Sequence, residues 1–232
     1  SSCQKAESSI VGGDAYIALS RGARPRASDN TYHASLVETL FGSELNFVCR
    51  LNRKLLISGA DYMKEYALLL PILFIFHDME EIIGFSYFFR NNKQLFERFP
   101  KITAVYKDFS TEGFALAVYE EFIPFFGIGL LDYFFPCKVL NVLWLGLLIS
   151  LTAHFLVHIG QSIYIRKYIP SLITSLICLP PSVIIIVKTL SIINIDLVTI
   201  ILIPVAIIGM ILNLKFAHSL MHKYGKKLSG KF

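Results

Sequence analysis

Seven side chains carry the chemistry that this sequence offers. His77, Glu80 and Glu81 lie in the apolar stretch Leu70–Phe89, Glu120 and Glu121 in a second one, and His154 and His158 in a third. Lipid tolerates ionisable groups poorly: a central Asp, Lys or Arg costs roughly 2.5–3.5 kcal/mol on insertion scales. Leu70–Phe89 holds His77, Asp78, Glu80 and Glu81 together. Such a cluster survives only where its members find partners inside a bundle. On a helix at about 100° per residue, Glu81 stands about 40° to one side of His77 and Glu80 about 60° to the other. These three share a face, and Asp78 falls at its edge. Glu120 and Glu121 diverge by about 100°, so at most one faces a core. His154 and His158 are an i,i+4 pair on one face.

Three chemistries fit these residue types. Mixed His and Glu donors suit iron, zinc or manganese, and helix bundles present such ligands at i,i+3 or i,i+4 spacing. In that reading His77 and one or both of Glu80 and Glu81 start the ligand set. One of Glu120 and Glu121, with His154 or His158, completes it, and Gln161 and Tyr168 orient ligands by hydrogen bonds. The order is not that of the di-iron Glu-x-x-His pattern, because His77 precedes Glu80. Alternatively, a buried Glu and a neutral His form a general acid/base pair without metal, with His77, Glu80, Glu81, Glu121 and His158 as the catalytic groups. Third, the polar track carries protons or a cationic solute between spans. Blander roles compete at the margins. His158 fits an interfacial histidine, Asp132 and Lys138 fit membrane-boundary residues, and His218 and His222 fit a headgroup-facing helix.

A spanning helix needs about 20 apolar residues, and five candidates can position these groups: Tyr66–Phe89, Phe114–Phe135, Val139–Gln161, Leu172–Leu190 and Leu197–Phe216. No dyad alternation indicates a barrel, so the expected fold is all-α, a polytopic transmembrane bundle of about five spans. Pro180, Pro181 and Pro204 predict kinks. Counting about 1.5 Å per residue, Glu80, Glu81, Glu120, Glu121 and His154 come out roughly 9–14 Å below one membrane face. That face carries the basic connections Arg90–Lys107 and Arg166–Lys167 and the tail Lys223–Lys231. The positive-inside rule makes it cytoplasmic, with the C-terminus inside and the chain in the cell membrane. Arg50, Arg53, Lys54 and Lys64 argue the other way.

Composition supports the membrane class. Hydrophobic residues make up 54% and charged residues 17%, with a mean hydropathy of +0.58, against about 25% charged in soluble domains. The net charge of +5 does not point to nucleic acid, because the basic residues gather in the connections rather than on an aromatic-interleaved surface. Cys3, Cys49, Cys137 and Cys178 show neither disulfide nor zinc spacing. Residues 1–60 read as an irregular N-terminal segment, distinct from a transmembrane domain over 61–232. No phosphate loop, nucleophile elbow or zincin motif occurs.

The motif His77-Asp78-Met79-Glu80-Glu81 resembles the signature of the HXXEE family of multi-span membrane proteins. A second signature fits in His158, Gln161, Arg166, Tyr168, Pro170 and Thr174, with Ser171 where the family usually has Gly after that Pro. The resemblance covers about Tyr66 to Phe216 and implies a shared site without naming a reaction. Together these readings give an integral membrane protein with an intramembrane His/Glu site, a metal-dependent or acid/base enzyme acting on a lipid-soluble substrate. The rivals are a proton-coupled or cation transporter and a non-catalytic membrane component. The absence of an internal repeat speaks against transport.

Overall fold

Five long helices form the body of the computed structural model, which describes residues 63–107 and 109–229. The expectations for residues 1–60 lie outside the described residues. Helix α1 is Leu69–Asn91, the short α2 and α3 are Gln94–Arg98 and Pro100–Thr103, and a 3-10 turn covers Ala104–Tyr106. Helices α4 to α7 are Thr111–Phe134, Lys138–Ile165, Leu172–Ile192 and Leu197–Ser229. No strand occurs among the described residues. Helices α4 to α7 are long and apolar enough to cross a membrane. Helix α1 has 23 residues, also sufficient, but Asp78, Glu80 and Glu81 interrupt its apolar character. The protein is an all-α, multi-pass membrane protein.

The predicted spans match these helices within a few residues, except that α7 runs to Ser229 rather than Phe216. At about 1.5 Å per residue this helix outreaches a bilayer core of about 30 Å, so its basic end projects beyond the apolar layer. Pro124, Pro180, Pro181 and Pro204 all sit inside helices that continue past them. Each removes one backbone bond without ending its helix, because the surrounding apolar residues have no better alternative in lipid.

Helix α5 is the centre of the bundle. It packs on α6 and α7, while α4 packs on α1 and α7. In its spanning window 56% of residues are buried, against 11% in α7, which makes α7 the outermost element. Trp144 of α5 is fully buried and donates its Nε1–H to the Ala67 carbonyl at 2.9 Å. That carbonyl lies beyond the start of α1 and has no helical partner of its own. Gly146 brings α5 against α7: a Cβ there would stand 2.6 Å from the Ala206 Cβ. The outward faces are apolar, with Ile83, Ile163, Ile184, Ile200 and Leu212 exposed, as lipid contact requires.

At the basic face the connection from α1 to α4 folds back under the bundle. Tyr106 packs on Phe85 and Phe89 at ring separations of 5.0 and 4.8 Å. Phe109 and Phe114 join this aromatic floor. Helix α4 begins above it, with Ser110 Oγ accepting the Gly113 N–H at 3.0 Å, an N-cap that satisfies one otherwise orphaned donor.

Candidate metal centre

Helices α1 and α5 bring four predicted residues together. His77, Glu81, His154 and His158 each offer one donor atom, and these four atoms lie within 4.8 Å of one another. Helical spacing explains the arrangement: 77/81 and 154/158 are both i,i+4 pairs, and the two stripes face each other. His158 Nε2 stands 2.9 Å from Glu81 Oε1, and His77 Nε2 stands 3.8 Å from the same oxygen. The Nε2 atoms of His154 and His158 are 2.8 Å apart. Two imidazole nitrogens at that separation repel unless a proton or a cation lies between them. His77 Nε2 and Glu81 Oε1 have no aligned hydrogen-bond partner among the described residues. Both residues are almost fully buried, where an unpartnered polar atom is costly.

The outer side of His77 fixes which nitrogen faces this group. Its Nδ1 lies 3.1 Å from Thr174 Oγ1. The Thr174 hydroxyl has one proton, and its shortest acceptor is Glu80 Oε2 at 2.6 Å. The hydroxyl therefore donates to Glu80 and accepts from His77 Nδ1–H, leaving the Nε2 lone pair aimed at Glu81, His154 and His158. This is the outer partner that a metal-binding histidine needs to hold its ring and tautomer.

Glu80 does something different from Glu81. Its carboxylate accepts from the Thr174 N–H at 2.7 Å, the Ile173 N–H at 3.4 Å and the Tyr168 hydroxyl at 2.5 Å. These amides are the second and third of α6, so Glu80 caps that helix from across the bundle, its charge favoured by the helix dipole. Ser171 at the α6 N-cap position cannot do so. Its φ is 105° and its side chain makes no cap bond. The Tyr168 hydroxyl is pushed up to about 12, by burial first and then by its bond to Glu80, and remains a donor at neutral pH. The expectation that Glu80 faces the other ligands, with His77 between two glutamates, gives way to this capping role. Tyr168 accordingly orients Glu80 rather than a ligand. Gln161 is half-buried on α5, one turn past His158.

Gly84 holds the two signatures in register. A Cβ on it would lie 2.5 Å from Pro170 Cβ, so only a hydrogen there lets α1 approach the α5–α6 connection. Lys167 Nζ adds a bond to Asn92 Oδ1 at 2.6 Å.

A cavity of about 120 Å³ opens beside the four-residue group. Glu81, His154 and His158 form part of its wall, with Asp78, Glu121 and His218 beside them. Phe74, Phe125, Leu151 and Ile211 contribute an apolar side. Of the two adjacent glutamates on α4, Glu121 faces this space, while Glu120 accepts from Asn213 Nδ2 at 3.3 Å. No Lys or Arg lines the cavity, so its carboxylates have only histidines as cationic partners among the described residues.

A family model described as a protein of unknown function with HXXEE motif matches residues 68–186, more than half of the chain. The chain belongs to the HXXEE family. Within this HXXEE protein the match takes in α1, α4, α5 and most of α6, and so covers all four donors and the Glu80 cap. Helix α7, with His218, lies outside it. No curated protein and no solved structure matches the chain.

Two residues have roles that the sequence reading missed, and a third decides between two readings. His218 lines the cavity rather than only facing headgroups; its helix is basic at this end, which hid a histidine turned toward the bundle. Asp78 is 3% exposed and lines the same cavity, although helical spacing put it at the edge of the His77 face. His158 is buried among the donors, which favours its reading as a ligand over the interfacial one. At the opposite end Lys138 is buried and paired with Asp196, and Asp132 is buried and accepts from Asn141 Nδ2 at 2.6 Å with that amide flipped. Both residues stand at helix ends, as expected of boundary positions, but they are built into the packing.

Proposed function

We propose that this HXXEE protein is an integral membrane metalloprotein. His77, Glu81, His154 and His158 hold one divalent transition ion at the wall of a cavity in which a lipid-soluble substrate reacts. The observation that carries this is the convergence of three imidazole nitrogens and one carboxylate oxygen within 4.8 Å, with two of those atoms making no hydrogen bond among the described residues. Nitrogen and oxygen donors without thiolate suit iron, zinc or manganese. A bound ion would supply Lewis-acid activation of water or of a substrate oxygen, or redox chemistry if it is iron.

The chain's own contribution follows from what surrounds the donors. Thr174 and Glu80 hold the His77 ring so that Nε2 stays unprotonated. Asp78, Glu121 and His218 give proton-accepting groups on the cavity wall, and Phe74 and Phe125 exclude water from it. The substrate's reacting part meets these groups within the bilayer. The basic connections support a site in the cytoplasmic half of the cell membrane, with the C-terminus inside.

Elemental analysis of the purified protein tests the reading. One ion per chain is expected, falling severalfold in His77→Ala and His158→Ala while both variants retain their helical content. A wild-type protein free of stoichiometric metal sinks it. Metal-free acid/base chemistry by Glu81 and the histidines would then be the reading that the same cluster supports.

A further inference from the structure

The cavity and an open basic surface of the protein meet at one residue. His218 lines the cavity of the candidate centre and also borders a surface stripe of Lys215, Ser219, His222, Lys223 and Lys226. These residues recur at i, i+3, i+4, i+7, i+8 and i+11 along α7, which is one helical face. None of them is acidic. One or two turns earlier on α7, Met210, Ile211 and Leu214 line the cavity. Ile211 is also 50% exposed, so the cavity reaches the lipid-facing surface there. Toward its C-terminus α7 thus carries an apolar mouth, a histidine that joins the cavity to the surface, and a basic stripe.

Depth in the membrane matches this order. From Leu197 to Lys215 the helix rises roughly 27 Å, close to a hydrocarbon core of about 30 Å. The stripe therefore begins at headgroup level, and Ile211 remains among acyl chains. The cavity is smaller than the roughly 150 Å³ void that holds one benzene, so only a short segment of a lipid fits inside.

We propose that the substrate of this centre is a bilayer lipid with an anionic, phosphate-bearing headgroup. The headgroup rests on Lys215 and Lys223, and the reacting segment enters past Ile211 and His218. The inference builds on the metalloprotein reading for the site but draws its evidence from α7. Charge complementarity selects the head, and the apolar mouth selects a molecule already in the membrane.

The test uses the full chain in nanodiscs of phosphatidylcholine with one tenth phosphatidylglycerol, followed by native mass spectrometry of the lipids that stay bound. Each basic residue at an anionic membrane surface is worth about a fivefold preference, so the double variant K215Q/K223Q should retain roughly 25-fold less phosphatidylglycerol. The variant K93Q/R98Q, in the basic connection between α1 and α4, should match wild type. Retention of the two lipids by wild type in the nine-to-one proportion of the nanodisc, or equal losses in the two variants, would overturn the proposal. So would displacement of the lipid by inorganic phosphate alone. Metal content measured on the same samples separates the two readings. Selective phosphatidylglycerol retention without metal upholds the headgroup site and refutes the metal centre; metal without lipid selectivity does the reverse.

Discussion

Replacing Ser171 by glycine should make the protein more stable. Ser171 is fully buried, holds a φ of 105°, and its hydroxyl finds no partner among the described residues. A non-glycine residue held in this region costs about 1–3 kcal/mol, and an unsatisfied buried hydroxyl costs a similar amount. Glycine gives back about 0.5–1 kcal/mol through its larger unfolded-state entropy. Allowing for partial relaxation, Ser171→Gly should gain about 2 kcal/mol, or roughly 4–8 °C in Tm for a chain of this size. Ser171→Ala removes the hydroxyl and keeps the strain, so it should gain about half as much. Trp144 reports unfolding well, because it is the one tryptophan and is fully buried. Its fluorescence during heating in detergent is the assay. A Tm for Ser171→Gly at or below wild type, or a larger gain from Ser171→Ala, would refute the argument from backbone strain.

Other expectations follow from single contacts. Gly84→Ala should lower Tm, because a methyl 2.5 Å from the rigid Pro170 ring forces apart helices that cannot yield, at a cost of about 1–3 kcal/mol. The same fluorescence melt checks it, and an unchanged Tm would contradict the close approach. Thr174→Val removes the acceptor on His77 Nδ1, and loss of such an outer partner should weaken metal binding about 10- to 100-fold, measured by competition with a chelator. At the opposite end, hydrogen bonds from Lys138 and Thr199 hold the Asp196 carboxyl down to about 2. A group depressed in the folded state contributes stability that is present above its unfolded value and lost as pH falls. Wild type should therefore lose stability between about pH 4 and 2 relative to Asp196→Asn, and parallel melting curves for the two would contradict the pairing.

The fold was legible because apolar length alone separates the spans, and the site because depth can be counted along helices. Counting residues from the helix ends puts Glu80, Glu81, Glu120, Glu121 and His154 at one level. What counting cannot supply is rotation about each helix and the identity of cross-bundle partners. Glu80 and Glu81 are adjacent in sequence and equally plausible as ligands, yet one caps α6 and the other meets the histidines. The difference is set by Ser171, whose left-handed backbone leaves the α6 amides to a partner from α1. His218 reads as headgroup-facing for a related reason: Lys215 and Lys223 lie near it on α7, and only the packing of α7 on α4 and α5 turns it toward the cavity. The pairing of Lys138 with Asp196 joins residues 58 positions apart, a distance at which sequence spacing carries no signal.

The division of labour between the two glutamates offers the most direct test of the metal centre. Metal per chain should be measured for wild type, Glu80→Gln and Glu81→Gln purified side by side with their melting temperatures. Wild type and Glu80→Gln should hold close to one ion, with Glu80→Gln melting lower because the α6 cap loses its charge. Glu81→Gln should lose most of its metal and, with it, the stabilisation that a bound ion gives the folded chain. Metal retained by Glu81→Gln, or lost equally from both variants, would contradict a centre built on His77, Glu81, His154 and His158.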